Sequence, residues 1–208
     1  MTPAWQAPAA VAVLAAMAAH LGWRLRRARQ RRAYQNDGFY AAVRELLVDA
    51  RLENTGTVGY QRLSGRFGGH SIQVLPVVDT LALRRLPVLW LLVTLQEPLP
   101  VRGKLDLMMR PNGPTTFSNF DLLPVTLACP AGFPEHAVLR TEDAARAPPL
   151  QVLRPHVGMF ADPRYKELLI APNGVRLVWM LAEAERARYG VLRQAEFGEV
   201  ALQPQLLR

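Results

Sequence analysis

The chain has 208 residues, half of them apolar, with a formal net charge of +8. That is room for one ordinary domain plus an appendage, and too much apolar character for a disordered chain. A single cysteine, Cys129, excludes a disulfide framework and any multi-cysteine metal site, and its expected role is that of a small buried apolar residue.

The positive charge is local. Arg24, Arg26, Arg27, Arg29, Arg31 and Arg32 lie within nine residues, and no acidic residue precedes Asp37. Without these six, 19 basic residues face 17 acidic ones, so the rest of the chain is nearly neutral. A nucleic-acid binder spreads its basic residues over a face of the fold, so nucleic acid is an unlikely partner on charge alone. Only Lys104 and Lys166 are lysines, which with the many alanines points to a GC-rich, bacterial type of genome.

Before the arginines, residues 3–23 read PAWQAPAAVAVLAAMAAHLGW, without a formal charge. A helix of that length spans roughly 31 Å, close to the hydrocarbon thickness of a bilayer. Trp5 and Trp23 stand near its ends, where aromatic rings favour the interface. Arginine is costly to carry across lipid, so the run predicts an inner-membrane protein with its N-terminus outside and its body cytoplasmic. A cleaved signal peptide would carry positive charge ahead of the apolar stretch, and none is present there. An interfacial helix is the rival reading, because alanine contributes little to insertion. The expected organisation is a transmembrane anchor over 1–23, a basic juxtamembrane joint over 24–38, and a cytoplasmic α+β domain over 39–208. Its fold is expected to be a mainly antiparallel sheet with a few helices.

Asn36 or Asp37 can cap a helix in which Phe39, Val43, Leu46, Leu47 and Ala50 recur at helical spacing, with Gly56 after its end. From Tyr60 the period changes. YQRLSGRF, Gly68-Gly69 and HSIQVLPVV predict a hairpin with a glycine turn. LPVLWLLVTL (86–95) is too short to cross a bilayer as a helix and predicts a buried central strand. VRGKLDLMMR (101–110) alternates like a partner strand beside it, and RPNGP (110–114) ends that strand in a turn. HAVLRT (136–141) predicts a strand, and PLQVLRPHVGMF (149–160) a short helix broken near Pro155. KELLIAPNGVRLVWML (166–181) predicts a hairpin through Asn173-Gly174, and residues 182–194 are helix-prone.

Motifs for chemistry are scarce. His20, His70, His136 and His156 are scattered with no metal-ligand spacing. Gly65-Arg66-Phe67-Gly68-Gly69 lacks the lysine-serine/threonine ending and the helix of a phosphate loop. Ser64 and Ser118 sit in no glycine elbow, and Cys129 has no local cue for a lowered pKa. Lys166-Glu167 and Glu183/Glu185 with Arg186/Arg188 read as solvated charge pairs. Asp79, ending an apolar strand, is read as a turn former rather than a catalytic carboxylate. No cofactor, metal site or catalytic set is expected. If the sheet gathers them at one rim, His70, Asp79, Arg84, Arg85 and Arg110 form a candidate anion site.

Three functions follow, in order of expectation. The first is a non-enzymatic accessory, scaffold or assembly subunit of a membrane complex. The second is a membrane-associated enzyme with a site assembled from distant residues. The third is a binder of anionic lipid through Arg24, Arg26, Arg27, Arg29, Arg31 and Arg32.

Overall fold

Among the described residues nine strands hydrogen-bond into one antiparallel sheet, in the order β1-β2-β3-β4-β9-β8-β5-β7-β6. They are β1 Val48–Glu53, β2 Arg62–Phe67, β3 His70–Asp79, β4 Val88–Leu95, β5 Leu105–Met109, β6 Val125–Leu127, β7 Ala137–Thr141, β8 Tyr165–Ala171 and β9 Gly174–Glu183. The structure, a computed structural model, describes residues 17–23, 38–55, 60–81, 86–186, 195, 197–198 and 200–207. The chain divides into two compact units, 1–39 and 40–208. In the first, residues 17–23 are helical, while 3–16 of the expected anchor and all six arginines of the basic run lie outside the described residues. Among the described residues no helix is long and apolar enough to cross a membrane.

Local chemistry accounts for the hairpins. Gly68 and Gly69 both have positive φ, 56° and 91°, which a two-residue turn between right-twisted strands requires. β3 then pairs with β4 over eight positions, from Ile72 against Leu95 to Asp79 against Val88. β4 lies in the middle of the sheet between β3 and β9, as its apolar run predicts. The β8–β9 hairpin turns one residue earlier than expected: Ala171 pairs with Gly174, leaving Pro172-Asn173 as the loop. Gly174 has φ 144°, and a Cβ there would lie 2.0 Å from the Leu95 carbonyl oxygen, so the position tolerates no side chain.

Four expectations need correction. The helix expected through Ala50 is helical only over residues 38–44, and Val48–Glu53 is an edge strand instead. Val48, Ala50 and Leu52 also satisfy a period of two, and a bulge between Val48 and Arg51, with Asp49 at φ 56°, lets the chain leave the helix and join β2. β5 does not lie beside β4. It pairs with β7 and β8, and β9 and β8 stand between it and β4. Pro98 and Pro100 deny the connection a tight hairpin. Residues 149–160 form two short 3-10 turns, Leu150–Val152 and Val157–Ala161, rather than a helix, with Pro155 between them. Cys129 is exposed rather than buried. β6 was not foreseen, and of the helix-prone stretch 182–194, Glu183 ends β9 while 187–194 lie outside the described residues.

Both faces of the central sheet are covered. On one face Leu105, Leu107, Met109, Leu139, Leu168 and Ile170 form a core closed by Leu153 and Phe160 from the 3-10 turns. On the other, Leu92, Met108 and Val178 pack with Phe117 and Phe120. These two phenylalanines belong to residues 111–124, a strap that leaves β5 and crosses this second face before entering β6. All five residues of β5 are therefore buried.

Candidate functional site

Every second residue of a strand shares a face, so register alone decides which polar side chains meet under the strap. Asp106 on β5 stands opposite Arg140 on β7 and Leu169 on β8, and Leu169 stands opposite Arg176 on β9. One step along, Met108 faces Glu167, and Glu167 faces Val178. A bulge on β8 between Tyr165 and Glu167 makes this possible. Tyr165 pairs with Trp179 and contacts the opposite core, so strict alternation would send Glu167 there as well. Lys166, the residue in the bulge, donates from Nζ to the carbonyls of Met109 and Arg110, at 2.6 and 2.8 Å.

The result is a buried charged cluster. Glu167 is 0% exposed and Asp106 2%. Arg176, with 23% of its side chain exposed, donates from Nη2 to Glu167 Oε1 at 2.7 Å. The strap completes the site: the Ser118 side chain hydrogen-bonds to Glu167, and the Ser118 Oγ accepts the Phe120 N–H at 3.1 Å. Phe117 lies 5.1 Å from Trp90, ring centre to ring centre, and the Thr116 hydroxyl donates to the Val78 carbonyl at 3.4 Å. Arg140 turns toward the strap, 4.9 Å above the Phe120 ring and 3.7 Å from Asp121.

Burial pushes the Asp106 carboxyl up to about 9, and the neighbouring Glu167 adds to this while Arg176 opposes it. Burial also raises Glu167, against the pull of Arg176 and of its hydrogen bonds to Arg176 and Ser118. Asp106 Oδ1 and Glu167 Oε2 are buried and have no hydrogen-bond partner among the described residues, and the closeness of Glu167 raises Asp106 further. Two carboxyl oxygens can bond only when a proton lies between them. Burial thus favours the protonated form of Asp106, while Arg176 stabilises the charge on Glu167. Among the described residues no three histidine, cysteine, aspartate or glutamate side chains are close enough to hold a metal ion, and Arg176 opposes a cation beside this pair.

Of the residues singled out from the sequence, the described ones, His70, Asp79 and Arg110, do not gather. His70 begins β3 and Asp79 ends it, about 30 Å apart at roughly 3.3 Å per residue. The His70 Nδ1 lies 2.6 Å from Glu97 on the exposed end of the β2–β3 hairpin. Asp79 Oδ1 accepts the Leu81 N–H at 3.1 Å, the bond of a turn-forming aspartate. Arg110 follows β5, four strands from β3, and donates to the Pro163 carbonyl at 2.9 Å. Arg84 and Arg85 lie outside the described residues. Of the candidate anion site of His70, Asp79, Arg84, Arg85 and Arg110, the three described members thus lie apart.

Asp106 and Glu167 were missed because each looks solvated in isolation. Asp106 sits in an alternating strand, and Glu167 beside Lys166 reads as a surface pair, yet Glu167 is fully buried. A usable signal was the company they keep. LDLMM and ELLIA are so apolar that both strands had to be covered on both faces. Compared with protein-family models, with curated proteins and with solved structures, the chain matches none.

Proposed function

We propose that this chain is a membrane-tethered, non-enzymatic accessory protein, with residues 3–23 as a single-pass anchor and the arginine run on the cytoplasmic side. Its sheet domain serves as a platform for the partners of a membrane complex. The observation that carries the non-enzymatic half is the closure of the perturbed carboxyl pair. Asp106 and Glu167 are 2% and 0% exposed, and Glu167 is spent on Arg176 and Ser118, so neither offers an oxygen to a substrate. Supporting the platform, the nine-stranded sheet ends in β1 and β6, and the ends of an open sheet are where another chain adds a strand. The tether rests on the length and neutrality of residues 3–23 and on the arginines that follow.

A second reading is favoured by one feature. A carboxyl whose pKa is raised by burial, as that of Asp106 is, has what a general acid requires. A membrane-associated enzyme would use it only with the strap displaced. Binding of anionic lipid by Arg24 to Arg32 is compatible with either reading.

The test is to tag the C-terminus, solubilise native membranes in mild detergent, and identify what co-purifies. Stoichiometric membrane partners are the expected result. A chain that emerges alone, and that loses its biological effect on Asp106→Asn while staying folded, contradicts the accessory reading and favours the enzyme.

A further inference from the structure

We propose that Asp106 and Glu167 hold one proton between them and that this shared proton is the catch that keeps the 111–124 strap closed over the sheet. Charge balance comes first. The groups in direct contact are two carboxyls and the Arg176 guanidinium, so the cluster is neutral with one proton and carries a buried negative charge without it. The other charged groups nearby do not supply a second cation to Asp106. From β8, Lys166 acts on Glu167 but places its ammonium on the Met109 and Arg110 carbonyls. From β7, Arg140 is directed to the Phe120 carbonyl, the Phe120 ring and Asp121 of the strap. The strap itself brings Ser118, which serves Glu167.

Geometry then fixes what must move. Asp106 and Glu167 are locked in register with their neighbouring strands, which cannot shift without breaking the ladder of β5, β7, β8 and β9. The strap is held to the same face by side chains: Ser118 to Glu167, Phe117 against Trp90, and Thr116 on the Val78 carbonyl. An ionised Asp106 needs water, and beside it on this face the strap packs Phe117 and Phe120 on Met108 and Val178, with Phe120 under Arg140, the residue opposite Asp106. Proton loss therefore weakens the strap first and the sheet later.

Hydrogen–deuterium exchange of the full chain in detergent, corrected for the intrinsic pH dependence of exchange, tests this directly. Peptides from 111–124 should lose protection by up to about tenfold per pH unit as the pH rises through the window between about 4 and about 9, and level off above it, while β4 and β9 stay protected. Asp106→Asn, whose amide can donate to Glu167 at every pH, should keep the strap protected throughout. Equal loss in wild type and Asp106→Asn, or no loss in wild type while the sheet stays folded, overturns the proposal. Infrared spectroscopy of the wild-type chain keeps the test decisive should Asp106→Asn fold poorly. A protonated-carboxyl stretch should be present at neutral pH and vanish near pH 9, and its absence at neutral pH overturns the shared proton.

Discussion

At Arg176 a single guanidinium compensates a carboxylate that water never reaches. Removing it leaves Glu167 charged and buried or forces it to take up a proton, and losing one partner of a buried pair costs about 3–5 kcal/mol. Arg176 keeps about a quarter of its side chain in solvent, so Arg176→Met should fall near the lower figure, about 3 kcal/mol, in denaturant unfolding. Asp106 makes a different prediction. The folded chain holds a proton that the unfolded chain gives up near the usual carboxylate value of 3.8. Folding therefore takes up a proton between about 4 and about 9, and stability falls as the pH rises through that window. Thermal unfolding of Asp106→Asn should show a shallower decline over the same range. An unchanged slope would mean that Asp106 is already ionised in the folded chain.

Among the elements, those with a strong period and a chemically defined turn were legible in advance. The β2–β3 hairpin follows from Gly68-Gly69, and β4 from an apolar run too short for a bilayer. β1 was not legible, because six residues with a bulge satisfy helical and extended periods alike. Nor was the place of β5, since register in a nine-stranded sheet is set by partners distant in sequence. The charged cluster was hidden for the same reason, compounded by the β8 bulge that turns Glu167 inward against the alternation of its own strand. Two predictions belong here. Gly174→Ala, driven against the Leu95 carbonyl at a φ of 144°, should cost roughly 3 kcal/mol or more and lower the thermal midpoint accordingly. Phe117→Ala removes the buried ring tilted against Trp90 and should cost about 3–5 kcal/mol unless the strap collapses into the space. Trp90 fluorescence should report its loss.

For the whole molecule, charge distribution says more than the sheet does about where the chain works. A nearly neutral body joined to six arginines within nine residues places the basicity beside the apolar segment, as expected for topology rather than nucleic-acid binding. If that is its role, a cysteine introduced ahead of residue 3 should be labelled by a membrane-impermeant thiol reagent in intact cells, in a chain whose Cys129 has been replaced by serine. One introduced at the exposed Glu142 should be labelled only after lysis. Labelling of Glu142→Cys in intact cells would invert the orientation.

The membrane half of the proposed function depends on the tether, and the partition of the chain between alkaline-washed membranes and supernatant tests it most directly. The full chain should stay with the membranes after the wash and leave them only in detergent, whereas a chain lacking residues 1–23 should be found in the supernatant. Release of the full chain by alkaline salt alone would contradict a spanning anchor and with it the account of a membrane-tethered accessory protein.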